Sequence, residues 1–77
     1  MKIEKVYKQL GKMIAHRRNE LGMSHGALAV KVKMSRPSVI NMEAGRQRIQ
    51  IHRMMELENA LGYPTGYLLL KLFRGEG

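Results

Sequence analysis

Ser24-His25-Gly26-Ala27-Leu28-Ala29-Val30-Lys31-Val32-Lys33-Met34-Ser35-Arg36-Pro37-Ser38-Val39-Ile40-Asn41-Met42-Glu43 carries the strongest local signals in the chain. It contains two helix starts and one break. Ser24 is a good N-cap, because a serine hydroxyl accepts from a backbone N–H of the first turn. Leu28, Ala29 and Val32 then fall on one face of a short helix that ends near Lys33. Ser35 is a second N-cap, and Val39 and Met42 point inward from the helix it opens. Pro37 fits only the first turn of that helix, where a missing N–H costs nothing, so it fixes the start near Ser35.

Working outward, Ile3, Val6, Leu10, Ile14, Arg17 or Arg18, and Leu21 recur at spacings of three and four, one face of a preceding helix. Gly22 stops it, since glycine accepts the left-handed conformation just past a helix end. On the other side, Gly45 ends the helix begun at Ser35, and 46–50 reads as a polar loop. Met54, Leu57, Glu58 and Leu61 line a fourth helix closed by Gly62. Pro64 is expected to start a short fifth helix carrying Tyr67 to Phe73. Five short helices without a strand pattern predict an all-α fold. Residues 1–77 make a single domain, with its core at about 10–69.

Fourteen Lys and Arg stand against six acidic residues, all Glu, for a net charge of +8. So strong a positive field on so small a domain suits a polyanion, nucleic acid first among them. An anionic membrane surface would need a long unbroken amphipathic helix, and Gly and Pro interrupt this chain too often. Tyr67 to Leu70 is the longest apolar run, far short of the roughly 20 residues a bilayer requires. With no cysteine, thiol chemistry, disulfides and thiolate metal sites are excluded; this fits the cytoplasm. A domain of this size buries only about 60% of its unfolded surface, so a partner subunit would compensate for a thin core.

Two short helices joined by a turn of three to four residues form a helix-turn-helix unit. Its second helix must project far enough to enter the major groove, and small residues are needed where the two helices cross. Gly26, Ala27 and Ala29 meet that need. From Leu10 to Leu69 the chain resembles the Cro and phage-repressor helix-turn-helix family, also called the xenobiotic-response-element type. The resemblance is carried by Ile14, Arg18, Leu21-Gly22-Met23-Ser24, Leu28-Ala29, Met34-Ser35, Ser38-Val39, Glu43, Gly45-Arg46 and Ala60-Leu61-Gly62. It implies a lambda-repressor-like domain and a partly buried ion pair between Arg18 and Glu43. Four positions depart from the family pattern. Lys33 stands where a glycine with positive φ is usual, and His25 replaces a Gln that touches phosphate. Glu58 replaces a small buried residue and needs a partner. Val30 faces solvent where a charge is preferred.

Site residues follow from chemistry and position. Arg36 opens the second helix of the unit, where a cation is disfavoured by the helix dipole, and Arg matches the O6 and N7 acceptors of guanine. Asn41 suits adenine or a phosphate, and Pro37 and Ile40 suit thymine methyl groups. These four are the expected base contacts. Arg46, Gln47 and Arg48 are expected to hold phosphates, joined by His25 and Ser35 at the two helix starts. By the resemblance, backbone N–H groups near Ile51 and His52 meet a phosphate too. Tyr67, Leu70 and Phe73 recur at i, i+3, i+6 and are expected to form a homodimer face, with Leu68, Leu69 and Leu72 turned to the core.

Neither a catalytic set nor ligand spacing among His16, His25 and His52 is present, so no enzyme, metal or cofactor is expected. The expected function is sequence-specific binding of double-stranded DNA by a homodimeric repressor. The alternatives are an antitoxin that binds a toxin protein and represses its own operon, and the amino-terminal part of a longer regulator.

Overall fold

In the computed structural model, which describes residues 2–74, the described residues form five helices and no strand. α1 spans Ile3–Glu20, α2 His25–Val32, α3 Arg36–Glu43, α4 Ile51–Ala60 and α5 Tyr67–Phe73. The two serines act as read from the sequence. Ser24 Oγ accepts from Ala27 N at 3.0 Å, and Ser35 Oγ accepts from Ser38 N at 3.1 Å. Pro37 sits in the first turn of α3.

One core joins the helices. Leu10 and Ile14 of α1, Leu28, Ala29 and Val32 of α2, and Val39 and Met42 of α3 are buried in it. Met54, Leu57 and Leu61 enter from α4 and its end, and Leu68 and Leu72 from α5. Ile49, in the stretch read as a polar loop, is also buried and anchors that loop. α3 packs on α1 and α2, α2 on α4, and α5 on α1.

α1 crosses α3 closely at Gly11, a mid-helix glycine that would otherwise weaken its helix by about 1 kcal/mol. A Cβ there would lie 2.6 Å from the Met42 carbonyl oxygen and nearer still to that of Glu43. No periodicity or capping signal in the sequence marks Gly11.

Four helices end in the same closing turn. After α1, Gly22 N donates to Asn19 O and Met23 N to Arg18 O, and the pattern repeats after α2, α3 and α4. Gly22, Gly45 and Gly62 hold the left-handed position in three of them, and Lys33, at φ 54 and ψ 44, holds it in the fourth. The turn of the helix-turn-helix is therefore not remodelled around Lys33. Arg53 supports it from α4, donating to Val32 O at 2.7 Å.

Some expectations are corrected. Ile3 and Leu21 are 54% and 44% exposed rather than on the core face. Ile3, in the first turn of α1, lines an open groove beside the loop after α3, and Leu21 lies in the cap, off the helical register. Pro64 does not start α5. It lies in a turn that ends at Gly66, φ 90, the N-cap of α5. Tyr67 is half-buried, not part of an open apolar face. Its ring stacks on Tyr63 with centroids 4.1 Å apart, while Arg17 lies over Tyr63 and Lys71 over Tyr67. Burial, reinforced by Tyr67, pushes the Tyr63 phenol above its ordinary 10.0, against the pull of Arg17.

Glu58, the residue most at odds with the family pattern, is 1% exposed, and its partners are backbone amides rather than a basic side chain. Its two carboxylate oxygens accept from Gly66 N and Leu68 N, each at 2.9 Å. A carboxylate at a helix N-terminus meets unsatisfied N–H groups and the positive end of the helix dipole. Glu58 thus caps α5 from α4.

Candidate nucleic-acid interface

α3 presents its first turn to solvent. Arg36 and Pro37 are exposed, while Ile40 and Asn41, a turn later, are half-buried. Eight residues make α3 about 12 Å long, comparable to the width of a major groove. The face is held from behind by a charge cluster. Arg18 Nε and Nη2 donate to the two oxygens of Glu43 at 2.7 and 3.1 Å. Arg18 Nη1 donates to Met23 O at 2.7 Å. The two side chains are 9% and 7% exposed, so the pair is buried and ties α1 to the end of α3.

His25 joins this cluster. Its Nε2 lies 3.1 Å from Glu43 Oε1 and 3.2 Å from Arg18 Nη2. The structure gives this side chain an internal partner at the start of α2, with a third of it exposed. Asn41 is likewise engaged, its Oδ1 accepting from Arg46 Nη1 at 3.1 Å. Arg46 therefore steadies Asn41 on α3 as well as standing in the loop beyond it.

Two concavities border the loop after α3. A cleft of about 520 Å³ brings Ser35 together with Gln47 and Arg48, adding Lys33, Gln50 and Arg53. It gathers three of the five residues expected at phosphates. It is basic without an acidic side chain in its lining, and it borders the starts of both α3 and α4. Gln50 leaves the N-terminus of α4 without a side-chain cap, so the N–H groups there are open to an anion. Lys33, read from the sequence only as a strained turn residue, adds a cation to this cleft. The sign of it was a lysine where glycine is usual. Gln47 and Arg48 also line a smaller groove of about 160 Å³, which adds Arg46, Gly45, Ile3, Glu4 and Tyr7.

Arg17, one of two candidates for the inner face of α1, donates to Leu61 O at 3.0 Å and serves the fold. Among the described residues no group of three or more His, Asp or Glu is placed to hold a metal ion. No helix among them is long and apolar enough to cross a membrane.

No curated protein matches the chain. A family model described as helix-turn-helix does, over residues 14–68, which takes in α2, the Lys33 turn, α3 and the basic loop. With an exposed first turn of α3 braced by Arg18 and Glu43, and that match over most of its length, the chain belongs to the Cro and phage-repressor type of helix-turn-helix family, whose members are DNA-binding transcriptional regulators.

Proposed function

We propose that this protein is a repressor that binds a specific operator as a homodimer, with α3 in the major groove. The observation that carries the reading is the first turn of α3, where Arg36 and Pro37 stand exposed beside a basic cleft at the starts of α3 and α4. Arg36 reads guanine, and Pro37 and Ile40 contact thymine methyl groups or sugars. Asn41 makes its contact with Arg46 alongside it. Ser35, Gln47 and Arg48, with Lys33, hold one phosphate cluster around the cleft, and Arg46 holds another. His25 reaches a phosphate only through the part of its ring that the ion-pair cluster leaves open.

Leu70 and Phe73, 53% and 82% exposed on α5, are the apolar residues a two-fold partner would cover. Such a dimer sets two α3 helices about 34–36 Å apart, in successive major grooves on one side of the duplex. Repression follows from occupying a site that overlaps a promoter.

Selection from a random duplex pool supplies the operator for the test. Arg36→Ala is expected to weaken operator binding by about 1–3 kcal/mol and relax one base position. Arg46→Ala is expected to weaken all duplexes and lower the salt slope by about one, and also to relax the base position read by Asn41, which Arg46 holds. Leu70→Glu is expected to shift sedimentation from dimer to monomer. Failure to enrich any sequence would overturn the reading.

A further inference from the structure

Ahead of the family-matched segment 14–68, lysines stand at position 2, just before α1, and at 5, 8 and 12 within it, all exposed. The spacing puts Lys5, Lys8 and Lys12 on one helix face. None of the four has a hydrogen bond or ion pair with another described side chain, whereas Arg17, Arg18, Arg46 and Arg53 all do or are held by a carbonyl. Glu4 is the single acid in residues 2–13. Holding so many like charges together is unfavourable unless an anion meets them.

At Lys8 this face meets the turn that opens the basic loop. A Cβ at Gly45 would lie 2.7 Å from Lys8 Cα and 2.6 Å from its Cγ, so the backbone of α1 touches the turn that opens the loop. Beside it, Ile3, Glu4 and Tyr7 share one groove with Arg46, Gln47 and Arg48, while Lys12 lines a separate hollow with Tyr63 and Tyr67. Leu10 and Ile14, on the opposite side of α1, are buried in the core. No broad apolar face is left there to enter lipid, which is what a membrane-surface helix needs. The remaining partner is a polyanion met by cations alone.

We propose that Lys5, Lys8 and Lys12 form a second phosphate-binding surface that extends contact with the DNA backbone beyond the helix-turn-helix. The proposal rests on the chain being a duplex binder. The lysines add affinity to every sequence and select none, because they lie on α1 and carry no base-reading geometry.

The test measures binding of the full chain to the selected operator and to a mixed-sequence duplex across a salt series. Each phosphate contact contributes about 0.9 to the slope of log affinity against log salt. Lys5→Gln/Lys8→Gln/Lys12→Gln is expected to lower that slope by about 2–3 on both duplexes and leave their affinity ratio unchanged. Lys31→Gln/Arg74→Gln, which removes charge elsewhere, is expected to lower it by less than about one. An unchanged slope in the triple variant, or an equal fall per charge in the control, overturns the proposal. Lysine-dependent binding to phosphatidylserine vesicles with no change on DNA overturns it as well. If the triple variant loses helicity, Lys5→Gln and Lys12→Gln singly are read instead, each expected to lower the slope by about one. Loss of sequence preference in the wild type counts against the repressor reading alone, since the slope on mixed-sequence duplex still reports on the lysines.

Discussion

Two buried glutamates hold the two halves of this protein, and they do so by different means. Glu43, at the end of α3, faces the guanidinium of Arg18 and the imidazole of His25. Glu58, in α4, faces two backbone amides at the start of α5. A charge paired with a charge leaves both exposed to loss, because removing one strands the other in a poorly solvated place. A charge paired with amides strands only neutral donors. The helix-turn-helix half should therefore be the more sensitive to a single isosteric change.

Glu43→Gln tests the stronger side of that contrast. It leaves Arg18 buried without a counter-charge, and a loss of roughly 3–5 kcal/mol is expected in urea melts. A loss below about half a kcal/mol would mean that the pair behaves as an exposed one and that the contrast fails. Glu58→Gln is the matched change on the other side. One amide keeps an acceptor while the other meets an NH₂ group, so about 1.5–3 kcal/mol is expected. Hydrogen exchange adds a local test, because one of the Gly66 and Leu68 amides is expected to lose protection in Glu58→Gln and both to keep it in Glu43→Gln at equal global stability.

The smallest expected effect concerns the turn between α2 and α3. Lys33 occupies a left-handed position that three sister turns give to glycine. Lys33→Gly should stabilise the fold by about 1 kcal/mol, read as a higher urea midpoint. Operator binding should weaken at the same time if Lys33 serves the phosphate cleft. Gain in stability with no loss in DNA binding would leave the lysine without a role at the cleft.

Helix starts and ends were legible in the sequence because their causes are local. Ser24 and Ser35 bond amides three residues on, and Pro37 is tolerated only in a first turn. Core positions of α2, α3 and α4 followed from periodicity, and the resemblance supplied the Arg18–Glu43 pair. The start of α5 was misread, since Pro64 is a strong local signal while the Glu58 cap comes from another helix. The half-burial of Tyr67 was not legible for a similar reason. Its stacking partner, Tyr63, lies outside α5 and no helical period contains it.

An all-α, basic helix-turn-helix protein could be read from the chain alone, because capping, proline placement and the 3.6-residue period act within a turn or two. Tertiary structure alone decided what the polar side chains are free to do. Arg18 meets Glu43 across 25 residues, His25 meets Glu43 across 18, and Leu68 meets Glu58 across 10. Such bonds exist only once the core has brought the helices together, and a buried charge takes whichever partner the packing leaves within reach.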